Sequence, residues 1–348
     1  MVNVKMTSLA KLPPPSAGKT GWPWTEETVP LPEIMADGSL CPRVSVVTPC
    51  YNHGQFLEET IRSVLLQGYP NLEYIIIDGG STDNSVEIIK KYEPWLAYWI
   101  SEKDRGQSHA INKGFARATG ELVGWMNSDD IYFPDAINTV VTYWLANGKP
   151  ISLITGTKLK GTSSLDTISK LEQSPYTIRH LIEKNIIEQP STFYPLSLLK
   201  EVGYIDERYR MSMDYDLWLR MARYGASFSF LDADLAITRN HPLAKTARFQ
   251  RLSLTEVMQT VWRNYRVIPK LWLKKFLTVW VVPDGLKPGM TRSFFYLTRD
   301  LLLKLLVTLL TQLDLMEYHE ERFPSQRFTH PSDENVDEAS QKTLLKGI

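Results

Sequence analysis

Between Arg43 and Thr155 the chain repeatedly runs a short apolar stretch into a polar turn, and three of those turns in succession carry carboxylates. Val44–Thr48, Leu72–Ile77, Tyr98–Ile100, Leu122–Met126 and 151–155 read as strands, because each is short, apolar and bounded by turn or polar residues. Between the first two, Phe56, Leu57, Ile61, Val64 and Leu65 recur at helical spacing until Gly68-Tyr69-Pro70 stops the run. A second helix is expected after Asn84-Ser-Val-Glu87, with Asn84 at the cap. Strands that alternate with helices build a mostly parallel sheet covered on its faces. Later, 175–185 and 215–224 read as helices, and 227–231 and 235–238 as short strands.

In such open sheets ligands bind beyond the carboxyl ends of the strands. The second expected strand runs into Asp78-Gly-Gly-Ser81, the third into Asp104-Arg105-Gly-Gln107, and the fourth into Asn127-Ser-Asp129-Asp130. Read alone, each carboxylate is an ordinary turn or helix cap. Their recurrence on one edge of a sheet is poorly explained that way. Asp129 and Asp130 suit a hard divalent cation, which takes oxygen ligands and is often held by one or two carboxylates plus substrate phosphates.

The rest of the composition excludes more than it assigns. Two cysteines, Cys41 and Cys50, make neither a disulfide framework nor a zinc spacing and fit a reducing cytosol. No apolar run in the first forty residues has the length of a secretory signal, so the expected location is cytoplasmic. Gly18-Lys19-Thr20 is no P-loop, since Pro13 stands where that loop needs Gly. The formal net charge of zero hides ten Lys/Arg against two Asp/Glu in 241–292, and eight Asp/Glu against two Arg in 313–339. The basic stretch is interleaved with Trp262, Trp272, Phe276 and Trp280, but no nucleic-acid motif accompanies it, and no nucleic-acid partner is expected. An intensely apolar helix over 301–310 is broken by Arg299, Asp300 and Lys304 nearby, which argues against an unaided bilayer span. It is expected to touch a membrane surface peripherally, with 262–316, to form a homodimer contact, or to pack on the catalytic domain.

Taken together, Thr48-Pro49-Cys-Tyr51-Asn52, Asp78-Gly-Gly-Ser-Thr-Asp83, Asp104-Arg-Gly and Asn127-Ser-Asp-Asp130 resemble the family 2 glycosyltransferases of GT-A fold in order and spacing, over roughly 43–245. The resemblance implies an α/β fold with a Rossmann-like sheet and, here, a helical C-terminal extension. It divides the chain into an extended arm (1–40), a catalytic domain (41–250, with a nucleotide half to about 156 and an acceptor half beyond), a helical extension (251–320) and an acidic, disordered tail (321–348).

It also implies metal-dependent, inverting transfer of a sugar from a nucleoside diphosphate sugar to a glycan or lipid-linked acceptor in surface-glycan synthesis, with Mn²⁺ or Mg²⁺. A non-catalytic sugar-binding relative is the alternative. By the resemblance, Asp78 contacts the base, Thr48, Pro49, Tyr51 and Asn52 line the nucleotide pocket, and Asp104 sits near the ribose or diphosphate. Ser81, Arg105, Gln107, Asn112, Asn127 and Asp130 join that donor site. Asp129 falls on the final Asp of the family's DxD-type motif and is the expected metal ligand; the motif often begins with Asp where this chain has Asn127. In Met211-Ser-Met213-Asp214-Tyr-Asp216, Asp214 matches the catalytic base. His241 is expected to ligate the metal or contact phosphate, with Arg239 and Lys245 neutralising charge, and Gln189, Ser191 and Asp216 to face the acceptor.

Overall fold

The computed structural model of the chain describes residues 7–35, 38–157, 159–170, 177–242, 244–282, 290–313, 315–316 and 328–329. The first half alternates strand and helix, with β1 (Val44–Cys50), α1 (Gly54–Leu65), β2 (Leu72–Asp78), α2 (Ser85–Tyr92), β3 (Tyr98–Ser101) and β4 (Leu122–Trp125) as expected and an unread helix α3 (Gln107–Phe115) between the last two. The second half continues through β5 (Ile131–Tyr132), α4 (Ala136–Ala146), β6 (Ser152–Thr155), β7 (Leu159–Gly161), β8 (Ile168–Lys170), α5 (Ile178–Glu183), β9 (Thr192–Pro195), α6 (Leu196–Val202), α7 (Met213–Tyr224), β10 (Ser227–Phe230) and β11 (Ala236–Arg239). Then come α8 (Lys245–Arg248), α9 (Gln250–Tyr265), α10 (Lys270–Val281), α11 (Met290–Gln312) and the two-residue β12 (Phe328–Thr329). Of the expected acidic tail, all but that strand lies outside the described residues, as do 175 and 176 of the helix expected over 175–185.

Eight strands form one sheet in the order β12-β10-β6-β9-β4-β1-β2-β3, and β5-β11-β7-β8 form a second. β3, β2, β1 and β4 are parallel, whereas β9 runs antiparallel to both β4 and β6. The chain leaves β1 towards β3 and then returns to the other side of β1 as β4. The gap between the carboxyl ends of β1 and β4 is therefore the topological switch point, where such a sheet opens a crevice. Register lines up these ends, with Cys50 opposite Asp78 and Asp78 opposite Ser101.

Helix α1 buries the face its spacing specified: Leu57, Ile61 and Val64 are fully covered. At α2 the capping expectation fails in detail. Asn84 sits at the cap but its side chain does not bond there; Asp83 Oδ1 accepts from Ser85 N at 3.0 Å instead. The expected boundary at residue 250 falls inside a continuous core, since Val257, Val261, Tyr265 and Trp272 share one apolar cluster with Val47, Trp125 and Trp218.

The N-terminal arm is a strap fastened to α1. Arg62, wholly buried, donates to the carbonyls of Pro13, Pro23 and Trp24 at 2.9 Å each and to Tyr92 Oη at 3.1 Å. Thr28 N and Leu31 N bond to Leu66 O and Gly68 O. Gly68 allows this approach: it has φ +62°, and a Cβ there would stand 2.7 Å from Val29 O.

Candidate active site

Four strand ends and the segment after β11 meet at the switch point. After β1, Asn52 takes φ +53°, which Asn tolerates better than most residues. Its Oδ1 accepts from Thr82 N at 2.8 Å while its own N donates to Ser81 Oγ at 2.8 Å, tying the β1 and β2 turns together. Asp78 is fully buried and accepts from Gly80 N, Ser81 N, Ser81 Oγ and Ser101 Oγ at 2.5–3.1 Å. Its first duty is thus to hold the β2 turn and the end of β3. Asp104 accepts from Gly106 N at 2.8 Å, and a Cβ on Gly79 would lie 2.5 Å from its Oδ2, so a side chain at 79 would displace the Asp104 carboxylate.

Asn127 is the hub. Its Oδ1 accepts from Gln107 Nε2 at 2.9 Å, and its Nδ2 donates to Gln189 Oε1 at 2.8 Å and Asp130 Oδ2 at 3.1 Å. Gln107 in turn accepts from Lys245 Nζ at 2.8 Å, which draws the segment after β11 over the crevice. An amide is required at 127 because its neighbours are a carboxylate and an amide oxygen. This accounts for the departure from the family's usual Asp.

Asp129 Oδ2 lies 2.9 Å from His241 Nε2. Burial works to raise the Asp129 carboxyl, but the His241 hydrogen bond and the charges of His53 and His241 outweigh it, so the pKa falls below its usual value. His53, which the sequence reading passed over, belongs to the same cluster. Its Nδ1 is 2.8 Å from Ser128 Oγ and its ring meets that of His241 edge-on, with centroids 6.1 Å apart. Only its position directly after the Thr48–Asn52 motif could have flagged it. Burial lowers the His53 pKa, favouring the neutral imidazole a metal or phosphate oxygen would meet. His241 Nδ1 is buried without a hydrogen-bond partner. Among the described residues no three His, Cys, Asp or Glu side chains form a ready-made metal cage. Asp129 and His241 still fit a divalent cation whose remaining ligands come from a bound diphosphate and water.

Asp214 opens α7 and is half-buried. Trp218, one helical turn further on the same face, stacks on Trp125 with centroids 5.8 Å apart and planes 18° apart. Trp125 ends β4, two residues before Asn127, and its carbonyl accepts from Gln189 Nε2 at 2.6 Å. Ahead of α7, the backbone N–H groups of Arg210, Met211 and Ser212 all donate to the buried carboxylate of Glu256 on α9, at 2.7–3.0 Å. Glu256 thus caps α7 from outside the span of the resemblance, and no local pattern marked it.

Several expected contacts are turned away from the crevice. Asp216 does not face an acceptor: two residues beyond Asp214 it projects from the opposite face of α7, 1% exposed, and binds Arg220 at 2.6 Å, Thr260 at 2.7 Å and Asn264 at 3.3 Å. It lines instead a cavity of 340 Å³ with Arg220, Arg223, Arg263 and Asn264. Ser191 is fully buried and bonds to Glu188 O and Thr155 Oγ1. Asn112 clasps Ile205 and Glu207 across α3, and Arg105 pairs with Glu207 at 2.6 Å. Thr48 points into the sheet, 3.0 Å from Tyr74 Oη, and Pro49 is buried, whereas Tyr51 is exposed. Arg239 spends its guanidinium on Asp129 O, Ser163 O and Glu59, so it does not reach a diphosphate. Asp130, buried, accepts from Arg239 N at 2.9 Å and from Asn127 Nδ2 at 3.1 Å, so both its oxygens are turned to protein donors; burial and then Asp129 push its pKa well up.

The model of glycosyl transferase family 2 matches residues 45–194. An uncharacterized glycosyltransferase of Mycobacterium tuberculosis (strain CDC 1551) is 33% identical over 184 residues, covering 52% of this chain and 69% of its own length. Another, from Rickettsia typhi (strain Wilmington), is 27% identical over 242 residues, covering 66% and 74%. The fold is similar to that of S. aureus TarS residues 1–349, crystallised with UDP-GlcNAc, at a TM-score of 0.54 and 18% identity over 69% of this chain and 72% of that one. A GT-A architecture, with the family's motifs gathered at its switch point and this match to relatives, makes the chain a glycosyltransferase that belongs to glycosyl transferase family 2.

Proposed function

We propose that this glycosyltransferase moves a sugar from a nucleoside diphosphate sugar to an acceptor hydroxyl by an inverting single displacement, with Asp214 as general base. The observation that carries the reading is the Trp218–Trp125 stack, which sets the face of α7 bearing Asp214 against the strand end that leads into Asn127-Ser128-Asp129. This packing supports a crevice shared by base and donor cluster. Asp214 takes the proton from the acceptor hydroxyl as its oxygen bonds to the anomeric carbon. The bond from that carbon to the β-phosphate oxygen breaks, and its electron pair leaves with the nucleoside diphosphate. A divalent cation, Mn²⁺ or Mg²⁺, held by Asp129 and His241 would offset the charge of that leaving group. His53 and Lys245 complete the polar wall on the same side, and Gln107 and Gln189 fix Asn127 between them.

TarS is crystallised with UDP-GlcNAc, which supports testing uridine diphosphate sugars first. The acceptor in this proposal is a glycan or lipid-linked sugar in surface-glycan synthesis; the two free buried cysteines bear only on the compartment, which they fit as a reducing one. The Asp214→Asn variant is expected to bind donor with Mn²⁺ as tightly as wild type, by calorimetry, while transfer falls by roughly 100-fold or more. Transfer near the wild-type rate would overturn the base assignment.

A further inference from the structure

Helix α11 is apolar on two opposite sides. Leu303, Leu306, Val307 and Leu310 pack on Leu273, Leu277 and Val281 of α10. The other side bears Phe294, Leu297, Leu301, Leu305 and Leu309, which are 63%, 60%, 53%, 69% and 51% exposed. These positions recur every three or four residues and form a stripe along most of the helix. A continuous exposed apolar stripe of this length marks an interaction surface rather than ordinary surface scatter. Trp280, at the end of α10, is 53% exposed and lies under Arg251, 5.5 Å from its ring centroid.

Charge decides what covers the stripe. Arg251, Arg266, Lys270, Lys274, Lys275 and Lys304 are all exposed. Among the described residues from 250 to 313 the acids are Glu256, which is buried, and Asp300, which is paired with Arg299 at 2.7 Å. A second copy seated on the stripe by a twofold axis would bring the same basic surroundings against these and repel them. An anionic lipid surface suits both features, with headgroups against exposed Arg266, Lys270, Lys274 and Lys304 and acyl chains against the leucines. Among the described residues no helix is long and apolar enough to cross a membrane, so α11 would lie in the interface plane.

We propose that the outer face of α11, with the basic residues of α9 and α10 around it, docks this enzyme on an anionic membrane surface. The inference stands apart from the assignment of Asp214 and is read without sugar transfer. The full chain is sedimented with vesicles of phosphatidylcholine alone and of phosphatidylcholine mixed with phosphatidylglycerol. Wild type is expected to bind the mixed vesicles, to bind the neutral ones far less, and to be released by salt. Leu301→Glu/Leu305→Glu should abolish binding, and Lys270→Ala/Lys274→Ala/Lys275→Ala should weaken it by roughly 100-fold. Both variants should keep the wild-type melting temperature and donor hydrolysis, since none of these side chains reaches the crevice. Wild type that stays in the supernatant with both vesicles overturns the proposal. So does a wild-type dimer, by light scattering, that Leu301→Glu/Leu305→Glu turns into a monomer.

Discussion

Single side chains here are chosen by the hydrogen-bond sense of their neighbours. Asn127 must donate towards Asp130 and Gln189, so Asn127→Asp puts a carboxylate 3.1 Å from another and faces an amide oxygen with a second acceptor. The change should cost about 1–3 kcal/mol in urea denaturation, and adding Asp130→Asn should recover part of the loss. Full stability of the single variant would show that the hub is not needed. Cys50 tells a similar story about burial. Desolvation first, and Asp78 next, push its thiol up to about 12. It is expected to resist iodoacetamide at pH 8 in the folded protein and to react once urea is added. Because the folded thiol keeps a proton that the unfolded chain sheds, its contribution to stability is present below about pH 9. That contribution is lost as the pH climbs from there to about 12.

At the scale of elements, the decisive pairing is α7 with α9. Glu256, Thr260 and Asn264 recur one turn apart on α9, and all three bond to α7 or the loop before it. The helix that carries the proposed base is thus aimed by a helix beyond residue 250. Glu256→Ala leaves three backbone donors without their acceptor and should lower stability by about 1–3 kcal/mol. In Glu256→Gln, which keeps an acceptor but loses the charge, kcat should fall while donor affinity holds. A fall in donor affinity with kcat unchanged would count against an aiming role.

For the whole molecule, the strap and the C-terminal helices close the α/β core from two sides. The strap depends on one buried guanidinium. Arg62→Ala removes four hydrogen bonds and leaves three strap carbonyls short of a donor. It should cost about 3 kcal/mol or more and make 7–31 the first segment cut by trypsin. An unchanged cleavage pattern would mean that the strap is held by its apolar contacts, such as buried Leu12 and Trp24, instead.

What the sequence settled by itself was local or repetitive. The strands β1 to β4 and β6, the helices α1 and α2, the buried face of α1 and the turns bearing Asp78, Asp104 and Asp129 were legible, because period, turn residues and short motifs are written along the chain, whereas α3, β5 and α4 were not read. The tertiary structure alone decided which polar residues face the crevice. Asp214 and Asp216 are two residues apart and look equivalent in sequence, yet a helix turns them to opposite faces, Asp214 onto that of Trp218 and Asp216 onto α9. His53 and Glu256 gained their places the same way, from packing between segments up to 188 and 46 residues distant along the chain. Pairing at such separations depends on which faces meet, and a local pattern carries no record of it.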